Sequence, residues 1–181
     1  GKVETFAICF YPIGFANFVK MPLENLVDKE TPISELFGQV EADILEQQMI
    51  QAADTRQRID IIEAFFLRML IEKNTISNIV KSTVDALIKT NGTTHISVLL
   101  KDDISKRRQL ERHFKKQIGI SPKQLGKAIR LQTTLNLLLN KKSETLTEIA
   151  YENDYFDQNH FIKDFKDLVG VTPKEFLDNE H

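Results

Sequence analysis

The first apolar stretch of the chain is continuous rather than periodic. Thr5-Phe-Ala-Ile-Cys-Phe-Tyr11 is almost wholly apolar, rich in aromatic and β-branched side chains, and is closed by Pro12 and Gly14. That pattern predicts a buried strand, with Cys9 as inert core. Residues 15–19 predict a second strand. Two strands alone are not a stable sheet, so their partner strands are either missing or supplied by another chain. From Pro22 onward the apolar period becomes helical. Short turns of helix are expected at 22–27 and 31–37, the latter with Thr31 as N-cap, Pro32 first and Gly38 as stop. Helices over 40–53 and 55–73 follow. The second carries Ile59, Ile62, Phe66, Met69 and Leu70 on one stripe with Ile61 and Phe65 beside it. A helix so nearly apolar all round is buried or faces a partner. Phe65 and Phe66 with Ile61, Ile62 and Leu67 read as core first and dimer face second. This helix is expected to pack on the N-terminal strands and on neighbouring helices.

Further on, 76–90 reads as a helix stopped by Asn91-Gly92, then 94–101, and 105–118 ended by Gly119. Ser121 and Pro122 cap and start a long helix to about 139. Helices at 145 or 147 to 152, 157–169 and 172–177 complete the chain. A repeat underlies this half. Phe114-Lys-Lys-Gln-Ile-Gly-Ile-Ser-Pro-Lys-Gln-Leu125 aligns without gaps to Phe165-Lys-Asp-Leu-Val-Gly-Val-Thr-Pro-Lys-Glu-Phe176, 51 residues later. Leu110/Phe114 and Phe161/Phe165 are spaced i, i+4 and mark buried faces. A short helix and a tight turn precede each copy, with Asp102-Asp103 in the first turn and Asp154 in the second. Asp102-Asp103 suits a turn and helix cap better than a cation site. The pattern predicts two helix-turn-helix units joined by one long helix.

Composition at first points away from nucleic acid: over 181 residues the net charge is −2 and the pI about 6.1. The charge is segregated, however. Residues 101–142 hold 12 Lys and Arg against 3 Asp and Glu, whereas 143–181 hold 3 against 10. The basic block coincides with the first unit and the long helix, an electrostatic footprint for a polyanion. Seven Gly and five Pro favour helices over a many-turned β fold. One cysteine excludes an intramolecular disulfide. His95, His113, His160 and His181 lack ligand spacing, so no metal and no cofactor are expected. No phosphate loop, nucleotide fingerprint or nucleophile elbow is present, and no enzyme is predicted.

With Leu110 and Phe114 inward, Arg108, Glu111, Arg112 and Lys115 fall outward at i, i+3, i+4 and i+7. The second unit presents Gln158, Asn159, Ile162 and Lys163, with Asp157 as N-cap. Arg suits guanine, Gln and Asn suit adenine, and Ile suits a thymine methyl. Lys106, Arg107, Lys115, Lys116 and Lys166 are candidates for phosphate. Asp164 and Asp167 are expected to tilt away from it.

The stretch from about Ile76 to the end resembles the DNA-binding domain of the AraC/XylS family of bacterial transcription regulators. The likeness is carried by Ile149-Ala-Tyr-Glu-Asn-Asp-Tyr-Phe-Asp-Gln-Asn-His-Phe161, Phe165-Lys and Gly170-Val-Thr-Pro-Lys-Glu-Phe176. In the first unit Ile96, Leu99, Arg108, Leu110, Arg112, Phe114, Gly119, Ser121 and Pro122 carry it. The resemblance implies a mainly α fold whose two units, about 94–119 and 145–170, read adjacent major-groove segments. By alignment it implies base-facing positions at Arg108, Glu111, Arg112, Gln158, Asn159, Ile162 and Lys163. The family's usual N-cap serine falls on Lys106 here, with Ser105 one residue early. Residues 5–38 resemble, more faintly, the tail of the family's β-rich sensor domain. Most of that domain, and the pocket for any small-molecule effector, is then expected to lie outside this chain, with 39–75 as connecting helices.

The expected function is sequence-specific DNA binding in transcription regulation, in the bacterial cytoplasm. Double-stranded DNA is the primary partner; RNA polymerase and a second copy of the chain are further candidates. A helical protein-interaction module that docks a transcription partner without reading bases is the alternative, and steep salt dependence separates the two.

Overall fold

Backbone hydrogen bonds decide the N-terminal segment. A computed structural model describes residues 5–70, 76–100, 103–140, 148, 150, 155 and 157–179, and every regular element among them is helical. The two expected strands are therefore absent. Residues 5–11 are irregular, Gly14 N–H donates to the Tyr11 carbonyl (2.7 Å) in a turn, and Phe15–Asn17 is a single 3-10 turn. A strand without a neighbour leaves its backbone groups unpaired. The apolar side chains are instead satisfied by ring packing: Phe10 meets Phe15, Phe18 and Phe66 at centroid distances of 5.1, 5.6 and 4.9 Å. Cys9 is exposed, not core.

The helices are α1 (Ile33–Phe37), α2 (Gln39–Gln51), α3 (Thr55–Met69), α4 (Asn78–Lys89), α5 (Ile96–Leu99), α6 (Ile104–Ile118), α7 (Pro122–Asn140), α8 (Gln158–Val169) and α9 (Pro173–Asn179). In α1 the cap is Pro32 and the first helical residue Ile33, one position later than the sequence pattern suggests. The chain divides into two compact units, 1–81 with 112–120, and 82–111 with 121–181.

In the first unit α2 packs on α1 and α3. Asp54 caps α3 by accepting from Gln57 N–H at 2.8 Å. The α3 core face centres on Phe65, 1% exposed, whose ring meets Phe37 at 5.1 Å. Phe66 reaches Phe10, Phe18 and Phe37, so α3 does pack on the N-terminal segment, though that segment is not a strand. Leu67 was expected in the core. It is 73% exposed, because its turn position points it away from Phe65. Ser77, ahead of α4, donates its N–H and hydroxyl to Gln117 Oε1 at 3.1 and 3.2 Å.

The second unit is built around α7, against which α8 packs, with α9 on α8. Its core gathers Leu131, Leu138, Ala150, Tyr155, Phe161 and Phe165. The end of α4 lies tight on α7. Gly92, at φ +77°, sits so close that a Cβ there would fall 2.1 Å from the Gly126 carbonyl oxygen. Only glycine accepts both that backbone angle and that approach.

Candidate nucleic-acid interface

Each candidate recognition helix is pinned at both ends. Asp157 Oδ1 accepts from His160 N–H at 2.7 Å and starts α8. Asp103 Oδ1 accepts from Lys106 N–H (3.1 Å), Ser105 N–H (3.0 Å) and Ser105 Oγ–H (2.8 Å), and starts α6. The Ser105 hydroxyl and the Lys106 backbone, with the Lys106 ammonium, hold the Asp103 carboxyl down at about 2. At their far ends, Gly119 at φ +95° and Gly170 at φ +90° stop the two helices 51 residues apart. The following helices start alike. Ser121 N–H donates to Gln124 Oε1 (2.9 Å) and Gln124 N–H donates back to Ser121 Oγ (3.2 Å). Thr172 and Glu175 repeat this capping box, at 2.8 and 3.3 Å. The Thr172 donors lower the Glu175 pKa.

The inward faces are as the spacing predicts: Leu110, Phe114, Phe161 and Phe165 are all fully buried. That fixes the outward faces. On α6, Arg107, Arg108, Arg112, Lys115 and Lys116 are exposed and Glu111 is half-buried. Lys106 is exposed but its ammonium lies 3.3 Å from Asp103. On α8, Asn159, Lys163 and Lys166 are exposed, and Gln158 is half-buried. Ile162 is also half-buried and packs partly against the core, so only part of its side chain faces outward.

Two cations of the basic block are engaged elsewhere. Lys127 on α7 forms ion pairs with buried Asp164 (2.9 Å) and with Asp167 (3.5 Å). Burial alone would lower the Lys127 pKa, but the two carboxylates outweigh it and raise it. Both acids thus turn toward α7. Arg130 lays its guanidinium over the Tyr155 ring, 4.7 Å from the centroid. Burial raises the Tyr155 pKa against the pull of that charge. The sequence reading counted Lys127 and Arg130 only as part of the positive block. The available signal for Lys127 was Asp164, which shares the inward side of α8 with Phe161 and Phe165. The expected helix at 145–152 and the turn at Asp154 lie outside the described residues, apart from helical positions 148 and 150; so does Asp102. Among the described residues no three His, Cys, Asp or Glu side chains converge as a metal site.

Comparison with known proteins agrees with this geometry. Residues 105–179 match a helix-turn-helix domain family. A 70-residue stretch is 39% identical to the HTH-type transcriptional regulator MtrA of Neisseria gonorrhoeae, covering 39% of this chain and 23% of that protein. In this region the chain is similar to regulators of the AraC/XylS family. The match spans under a quarter of the relative's length, and no solved structure matches the chain. The mainly α fold of the described residues is consistent with this domain class.

Proposed function

We propose that the chain is a sequence-specific DNA-binding regulator of transcription that places α6 and α8 in adjacent major-groove segments. The observation that carries this reading is the repeated helix. At both copies two apolar residues at i, i+4 are fully buried, and residues with base-reading chemistry stand on the opposite face. In this proposal 76–181 is the DNA-binding domain, and 1–38 and 39–75 are the sensor-side and connecting segments. Arg108, Glu111 and Arg112 read one segment. Gln158, Asn159, Lys163 and the exposed part of Ile162 read the next. Lys106, Arg107, Lys115, Lys116 and Lys166 hold phosphates. No catalytic step is part of this function, and the protein works in the cytoplasm. RNA polymerase and a second copy of the chain are its protein partners in this proposal.

The test is selection of duplexes from a random-sequence pool, followed by binding at several salt concentrations. The chain should select one site, and affinity should fall steeply with salt. Gln158→Ala with Asn159→Ala should relax sequence preference over only one half of that site. Non-specific binding should be spared. A selected site whose two halves are unchanged in the double variant removes α8 from base reading. Affinity indifferent to salt and sequence would leave the protein-interaction role instead.

A further inference from the structure

The two recognition helices differ at one end. Both stop at equivalent glycines, yet α6 has 15 residues and α8 has 12. By the 51-residue offset the Asp157 cap corresponds to Lys106, but the α6 cap is Asp103, three residues earlier. The residue equivalent to Ile104 is Tyr155, which lies outside α8 and is 2% exposed in the core. Ile104, by contrast, is the first residue of α6 and 70% exposed. The extra turn adds about 4.5 Å of helix, more than the ~3.4 Å rise of one base pair.

Register decides where that turn points. Ile104, Arg108, Glu111 and Lys115 are spaced i, i+4, i+7 and i+11, so Ile104 continues the outward stripe of α6 by one turn. We propose that Ile104 is a specificity-determining residue that packs on the 5-methyl group of a thymine at the edge of the first unit's site. The chemistry selects the target. Ile has no donor or acceptor, and the thymine methyl is the apolar group that the major groove displays. Exposed on the stripe that carries Arg108, Ile104 is open to an apolar contact made on binding.

This inference rests on the DNA-binding reading and is tested apart from it. A duplex selected by the full chain is prepared with each thymine replaced in turn by deoxyuridine, which lacks only the methyl group. At one thymine next to the Arg108 and Arg112 contacts, the wild-type chain should lose about fourfold in affinity, the factor for burying one methyl. Ile104→Ala should lose about as much on the thymine duplex and nothing further on the deoxyuridine one. Ile104→Val, which keeps an apolar side chain, should retain most of the discrimination. Circular dichroism should show the same helix content for all three proteins. Identical deoxyuridine profiles for wild type and Ile104→Ala, or a selected site without thymine at that edge, overturn the role of Ile104 while DNA binding stands. Failure to select any duplex overturns both.

Discussion

At the scale of single residues, the caps are the most legible features. Ser121 with Pro122, Asp157, and Thr172 with Pro173 begin helices where short polar side chains before an apolar period require them. The start of α6 is less sharp in the sequence, because Asp102-Asp103 reads as a turn and helix cap while the apolar period begins the helix at Ser105. The structure chooses Asp103, since one carboxylate can accept from two backbone N–H groups and a hydroxyl together. The choice has a pH signature. A carboxyl whose folded pKa lies below its unfolded value adds stability above the unfolded value and loses it as pH falls. For Asp103 the window runs from an ordinary 3.8 down to about 2. The Ser105 and Lys106 amide resonances should therefore titrate with a midpoint near 2. A midpoint near 4 would show that the cap is not formed.

At the scale of elements, helices with strong periodicity were readable and the apolar run at 5–11 was not. Periodicity reports which face is buried, so α2, α4, α6, α7 and α8 fall close to their expected limits. A continuous apolar run has no period. It becomes a strand only if a partner strand exists, and the described residues supply the rings of Phe15, Phe18 and, from α3, Phe66 instead. Cys9 and Leu67 were misplaced for a related reason: composition marks a segment as apolar without saying which members face out. The turn at Asn91-Gly92 was readable as a helix stop, but the close approach of Gly126 was not, since the two glycines are 34 residues apart in the chain. Gly92→Ala should be among the most damaging single-methyl changes. It puts a Cβ against a carbonyl oxygen at a positive φ, where strain and overpacking combine to on the order of 3 kcal/mol. Urea unfolding measures it. A loss below about 1 kcal/mol would mean that α4 and α7 part easily at this point.

At the scale of the whole molecule, a pI of 6.1 conceals a basic block, and the block in turn overstates the charge available to DNA. If all 12 Lys and Arg of 101–142 met phosphate, the logarithmic salt slope would approach about −11. The fold spends some of them internally: Lys127 on Asp164 and Asp167, Arg130 on Tyr155, and Lys106 in part on Asp103. Arg107, Arg108, Arg112, Lys115, Lys116 and Lys123 are exposed, so a slope of about −4 to −6 is expected. The two classes of cation should separate under mutation. Lys115→Ala should leave stability unchanged and flatten the slope by about one unit. Lys127→Met should leave the slope alone and cost about 1–3 kcal/mol in urea unfolding, because Asp164, 6% exposed, loses its ion pair. The reverse pattern, in which Lys127 sets the slope and Lys115 the stability, would place α7 rather than α6 against the phosphates. The division of labour drawn from the buried faces would then be wrong.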